Sequence, residues 1–206
     1  MNRITFLGTG TSTGVPYLGC DCPTCASTDP RDKRLRCSAL VQTASANILI
    51  DCSPDFRQQM LRLNFRGTLD ALFITHEHYD HVGGIDDLRP FSYSRSLPIY
   101  ADPYAASHLR QRLPYCLVEN KYPGVPQLRL HDLQPYETVM VNDTEVTALQ
   151  VMHGQLPVFG YRIGDMAYIT DMTSVTPRTL ELLSGIRLLV VGLGKKVLLA
   201  NQMGAL

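Results

Sequence analysis

The sequence predicts an α/β fold: a four-layer α/β/β/α sandwich with two sheets packed face to face and helices on both outer sides. Three observations point to it. Short apolar stretches of strand character fall into two sets along the chain, with helical stretches interspersed. The 206 residues suffice for one two-layered sandwich with a sizeable core. The apolar run from Leu69 to Ile74 reads as a buried strand and feeds a polar loop, as expected where functional loops gather at one edge of a sandwich.

In chain order, residues 4–7 form a strand. Thr9 to Arg36 is a loop rich in Gly, Thr, Asp and Pro, too long to be an idle connector. Residues 38–43 and 47–51 pair as strands around a turn at 44–46. Residues 55–63 are helical, with Phe56, Met60 and Leu63 on one face. Residues 71–75 form the strand that enters the polar loop, and 86–91 a short helix. A strand at 98–101 precedes a helix at 104–113, with Pro103 at a first-turn position. Pro114, Pro123 and Pro126 mark 114–126 as an excursion. Strands follow at 128–130, 138–141, 145–151, 158–163 and 167–170. A helix at 179–183, behind Pro177, leads to a buried strand at 186–191. No repeat or linker divides the chain, so residues 1–206 read as one domain.

Composition narrows the partners. Lys+Arg and Asp+Glu are 19 each, so the formal net charge is zero and nucleic acid is not expected as an obligatory partner. No apolar run reaches the roughly 18 residues of a membrane span, so no membrane partner is expected. The N-terminus lacks the apolar core of a signal peptide, which predicts a cytoplasmic protein. A homodimer is compatible with all of this.

The polar loop carries the strongest signal. Thr75-His76-Glu77-His78-Tyr79-Asp80-His81 is an H-x-H-x-D-H pattern followed by Gly83 and Gly84. Imidazole and carboxylate at a strand's end suit Zn, Mn or Fe, and this spacing lets one loop serve two metals. The competing reading is a polar loop without ligand duty; strand, spacing and glycines together argue against it. Cys20, Cys22 and Cys25 form C-x-C-x-x-C inside a loop spanning about residues 9–37. In a reducing compartment such a cluster binds metal more often than it forms disulfides, so one structural zinc is expected there, against the alternative of free thiols. Cys37 and Cys52 read as ordinary buried thiols.

Later strand ends supply further candidates. His153 follows the strand at 145–151 and Asp171 the strand at 167–170, which moves both towards ligand duty. Asp51, also at a strand end, is suited to holding a ligating imidazole by its other N–H; beside Ser53-Pro54 it reads almost equally well as a helix N-terminal partner.

These motifs resemble the metallo-β-lactamase superfamily of hydrolases. Gly8-Thr9-Gly10-Thr11-Ser12-Thr13-Gly14-Val15-Pro16, Gly19-Cys20-Asp21-Cys22-Pro23-Thr24-Cys25 and Arg34-Leu35-Arg36-Cys37-Ser38 are similar to its cyclic phosphodiesterase branch of phosphonate breakdown, which opens a 1,2-cyclic phosphate on phosphoribose. The resemblance implies a first metal on His76, His78 and His153, a second on Asp80 and His81, Asp171 bridging, and zinc on Cys20, Cys22 and Cys25. It implies two divalent metals, Zn or Mn, and a phosphodiesterase that attacks a small cyclic phosphate with metal-activated hydroxide, Asp80 also orienting that hydroxide. The Gly8–Gly14 loop has backbone N–H and hydroxyl groups to offer a phosphate, or is a plain turn.

No histidine follows His153, and the run from Gly192 to Leu206 does not resemble the family's ending. The expectation is therefore a truncated homologue, lacking the last strand and helix, with a weaker second metal. Two alternatives stay open: a metal-binding chain of little or no activity, and an RNA-processing phosphodiesterase of the same fold.

Overall fold

A strand buried on both faces carries apolar side chains at every position, and this is how the central strands are written. The computed structural model describes residues 2–118 and 124–192. Its first sheet contains β1 (Arg3–Gly8), β2 (Ser38–Gln42), β3 (Asn47–Ile50), β4 (Ala71–Phe73), β5 (Leu97–Ala101) and β6 (Leu128–Asp132), hydrogen-bonded in that order. β1 to β3 are antiparallel; β3 to β6 run parallel. The second sheet holds β7 (Thr138–Val141), β8 (Thr144–His153), β9 (Leu156–Ile163), β10 (Met166–Ile169), β11 (Ser174–Val175) and β12 (Leu188–Val191). Its order is β11-β8-β9-β10-β12, with β7 paired to β8.

Side-chain alternation makes the layers. Ala39, Val41, Ile48, Ile50 and Phe73 meet Val146, Ala148, Phe159, Tyr161 and Tyr168 in the space between the sheets. Leu40, Leu49, Leu72 and Ile99 face outwards onto Phe56, Met60 and Leu109. Those three belong to α2 (Phe56–Leu63) and α4 (Pro103–Arg112), the helices outside the first sheet. Leu149, Val151, Val158 and Ile169 cover the other side of the second sheet, under Leu182 of α6 (Pro177–Leu182). The architecture is the α/β/β/α sandwich the sequence predicts.

Local chemistry sets the helix ends. The Asp102 carboxylate accepts from the backbone N–H groups of Tyr104 and Ala105, and Pro103 opens α4. α2 stops at Asn64, whose left-handed backbone (φ 50°) is one that Asn tolerates. Three short helices escaped the pattern reading: α1 (Pro23–Ala26) in the cysteine loop, α3 (Tyr79–Val82) inside the histidine loop, and α5 (Pro114–Leu117) at the start of the supposed excursion. Each has four residues, too few for a 3.6-residue periodicity to show. Ile85–Phe91 is a 3-10 helix. The expectation that residues 186–191 form a buried strand is corrected: β12 covers Leu188–Val191, is the last strand of its sheet among the described residues, and has Leu188 44% exposed. The rest of the excursion around 119–123 and the ending from residue 193, with its missing strand and helix, lie outside the described residues.

Candidate metal centre

The site is built where two sheets end side by side. β4 delivers Thr75 to His78, and α3 turns at once so that Asp80 and His81 face back towards them. The second sheet contributes His153, the last residue of β8, and Asp171, two residues beyond β10. β9 fastens the loop: the Phe159 N–H donates to the Thr75 carbonyl at 2.9 Å, and the Tyr161 hydroxyl to that of Ile74.

The side chains converge. Ligand atoms of His76, His78 and His153 lie within 4.8 Å of one another, as do those of His76, His81 and Asp171. His76 Nε2 is 2.9 Å from His78 Nδ1. Donors bonded at about 2.0–2.1 Å to a tetrahedral metal stand about 3.3 Å apart, so this spacing fits a shared ion. Asp171 Oδ2 stands 2.9 Å from His81 Nε2 and 3.7 Å from His76 Nε2, between the two groups. Asp80 Oδ2 lies 3.4 Å from His81 Nε2. His153 Nδ1 is buried without a hydrogen-bond partner among the described residues, a lone polar atom that a metal would satisfy.

A layer of hydrogen bonds behind these groups sets their tautomers. Asp51 is fully buried, and its carboxylate accepts from the Thr75 N–H (2.8 Å), the Thr75 hydroxyl (2.9 Å) and His81 Nδ1 (2.7 Å). The Thr75 hydroxyl lies 3.0 Å from His76 Nδ1 and accepts from it. Both rings thereby keep Nε2 turned to the cluster. Of the two readings of Asp51, the geometry gives the imidazole partner; α2 begins only at Phe56, and the polar group beside its start is Asp55. Asp51 and Asp171 both have left-handed backbones, φ 57° and 52°, which Asp adopts more readily than most residues.

The electrostatics divide the histidines. Burial, with His81 and His78 nearby, pushes the His76 pKa down to about 3, so its ring is neutral and able to ligate. Burial also opposes charge on His81, but Asp51, Asp171 and Asp80 outweigh it and hold its pKa well above the ordinary value. Burial raises Asp80 and Asp171, yet His81 prevails and keeps both below the usual carboxylate range. The excess of carboxylate over imidazole at His81 is an environment made for a cation.

Cys20, Cys22 and Cys25 bring their sulfurs within 4.8 Å of one another, apart from the histidines. Hydrogen bonds from Cys25 and Cys20 lower the pKa of exposed Cys22. Cys37, which the sequence offers both as an ordinary buried thiol and as a group to complete a metal site, has its thiol 3.1 Å from the Tyr168 hydroxyl and within 4.8 Å of ligand atoms of Asp51 and His81. Its pKa is raised, by burial first. Thr75 was read only as part of the motif; no spacing rule announces a hydroxyl that bonds both a carboxylate and an imidazole.

Comparisons with known proteins agree with this fold. The family model of the beta-lactamase superfamily domain matches residues 46–197. A solved structure described as a new diphosphatase from the PhnP family superposes with a TM-score of 0.82 and 36% identity, covering 92% of this chain and 73% of that one. An octanoyltransferase of Porphyromonas gingivalis is 49% identical over 192 residues, 92% of this chain but 38% of that protein. A ribonuclease Z of Acaryochloris marina is 30% identical over 163 residues, 78% of this chain and 47% of that protein. The chain thus spans less than half the length of these two curated relatives.

Proposed function

Since the chain belongs to the beta-lactamase superfamily of metal-dependent hydrolases, we propose that it is a phosphodiesterase acting on a small, cyclic phosphate ester. The observation that carries the reading is Asp171, whose Oδ2 stands 2.9 Å from His81 and 3.7 Å from His76 and would let one carboxylate serve both donor sets. His76, His78 and His153 would hold one Zn or Mn ion, with Asp171 reaching it from beside His76; His81 and Asp171 would hold another, with Asp80 beside His81 as its further donor. Such a pair, when bound, lowers the pKa of a shared water and takes up charge on phosphoryl oxygens. The chain's own residues do the rest. Thr75 and Asp51 fix the imidazole tautomers. Asp80, beside His81, is placed to accept a proton from the attacking water and orient it. With three histidines gathered at the first site and His81 the only histidine particular to the second among the described residues, the first site binds tighter. Cys20, Cys22 and Cys25 would hold a structural zinc in the loop, and reduced thiols of this kind suit a cytoplasmic protein. The similarity to a PhnP-family diphosphatase supports phosphorus as the electrophile. The octanoyltransferase name belongs to a protein of which this chain matches a minor part.

The ribonuclease Z relative favours a second reading, cleavage of an RNA phosphodiester. One experiment separates the readings. Metals per chain are counted by mass spectrometry, and turnover of a ribose cyclic phosphate, bis(p-nitrophenyl) phosphate and a tRNA precursor is measured against added Mn²⁺ or Zn²⁺. Hydrolysis of the cyclic phosphate that rises with metal and vanishes with chelator is expected. Preferred cleavage of the precursor would establish the second reading. Two bound metals with no hydrolysis of any of the three would show an inactive metal-binding chain and defeat the proposal.

A further inference from the structure

The organic part of the substrate needs a place beside the metals, and the structure offers a cavity of about 210 Å³ against the outer side of the metal loop. Whole ligand sites usually measure about 300–1,000 Å³, so this one suits a single ring system. Its floor is apolar: Val82 and Ile85 come from the end of the metal loop, Leu109 and Leu113 from the end of α4. One wall is Tyr79, which sits between His78 and Asp80 and is 63% exposed. Its ring folds over Gly83, where a Cβ would lie 2.7 Å from Tyr79 Cε2. His78, the exposed ligand candidate, is the preceding residue and Asp80 the following one, so the wall of the cavity and the candidate ligands share one short stretch of chain.

Two charged groups stand at the rim. Arg112 donates Nη1 to the Glu77 carbonyl at 2.6 Å, pinning the loop between His76 and His78. A guanidinium has five N–H donors, so its fork has donors to spare for an acceptor in the cavity. Asp86 accepts from Arg89 (2.9 Å) and from the Tyr115 hydroxyl (2.9 Å), which hold its carboxylate in place with lone pairs remaining. An aromatic wall, an apolar floor, one cationic donor and one anionic acceptor make a complementary set for a flat ring that bears both acceptor and donor groups.

We propose that the cavity between α3 and α4 is the subsite for a planar nitrogen heterocycle, of the nucleobase type, carried by the substrate. This deepens the phosphodiesterase reading and rests on it for the placing of the ester, but not for the binding of the ring.

The test uses the nucleoside adenosine, which has no phosphate, so it reads the cavity whether or not the chain hydrolyses esters. Adenosine is titrated by calorimetry into the protein as purified, with ribose as the control. The chain has no tryptophan, so Tyr79→Trp adds a single fluorophore at the wall for a parallel titration. Saturable binding of adenosine, no response to ribose, and a half-saturation raised at least tenfold by Leu113→Arg are expected. Asp86→Asn, a partly exposed change that leaves the apolar floor intact, should raise it about threefold and carries the test if Leu113→Arg lowers the melting temperature. Equal responses to adenosine and ribose, or half-saturation unmoved by Asp86→Asn and Leu113→Arg in folded protein, would overturn the subsite while leaving the phosphodiesterase reading to its own assay.

Discussion

Replacing Asp51 with Asn should weaken metal binding at the His81 side of the centre while sparing most of the fold. Asn keeps the shape of the side chain and tolerates the left-handed backbone at φ 57°. What changes is one oxygen, which becomes an NH2 donor. Asp51 now accepts from three donors: the Thr75 N–H, the Thr75 hydroxyl and His81 Nδ1. If the amide NH2 faces Thr75, a buried backbone donor is left unpaired, at a cost of about 1–3 kcal/mol. If it faces His81, Nδ1 becomes the acceptor and the ring proton moves to Nε2, the nitrogen 2.9 Å from Asp171. The second arrangement costs less folding energy, because every donor keeps a partner, but it removes the lone pair a metal needs. Loss of such an outer partner typically weakens metal binding about 10–100-fold. The expected result is therefore a loss of about 1 kcal/mol in urea unfolding of the metal-free protein, with a 10–100-fold weaker second metal in chelator competition. Threefold or smaller changes in the affinity of both metals would refute the tautomer argument.

Three further outcomes are expected. Cys22→Ser should lower zinc content by about one per chain with the histidine-site metals unchanged, read by mass spectrometry; unchanged zinc would sink the structural site. Gly84→Ala places a Cβ 2.0 Å from the Ser53 carbonyl oxygen and 2.9 Å from Phe56 Cβ, so it should destabilise by about 1–3 kcal/mol or more in denaturant titration. Asp55→Asn breaks the contacts of Asp55 with the Arg36 guanidinium at 2.6 and 2.9 Å and should cost about 1–2 kcal/mol at pH 7. The Arg36 side chain holds the Asp55 carboxyl below its usual range, so this stability is present above the unfolded-chain value of about 3.9 and is lost as pH falls through the lower folded value. The variant's acid-unfolding curve should be correspondingly flatter below about pH 4; an unchanged curve would assign the acid sensitivity to other carboxylates.

Much of this was legible in the sequence because it is periodic. β2 to β4 carry unbroken apolar runs, Ala39 to Val41, Ile48 to Ile50 and Ala71 to Phe73, and read as strands, and α2 shows Phe56 and Met60 on one face; their bounds fall within two residues of the expected ones. His153 and Asp171 stand out by falling at strand ends downstream of the H-x-H-x-D-H motif and by the family resemblance, and the structure brings both to His76. What stayed hidden depends on tertiary partners. Nothing in sequence marks Cys37 as a neighbour of His81, since β2 and α3 are brought together by the sheet, or Arg112 as the group that ties down Glu77. α3 stayed hidden because its four residues are also the ligand motif, whose polar composition masks a helix.

The candidate ligands come from both sheets: His76, His78, Asp80 and His81 hang from the first, His153 and Asp171 from the second. Between His81 and His153 the chain completes β5 to β8 before it returns. No donor set spanning the two sheets exists until they have docked, so an ion held by both would be captured only as they dock. Interactions absent from the transition state slow unfolding and leave the folding rate nearly untouched. A bound ion therefore acts as a late-fastened bolt across the sandwich. The expected outcome is that such an ion prolongs the life of the assembled protein more than it hastens assembly, so that a chelator raises the unfolding rate and leaves the refolding rate nearly unchanged.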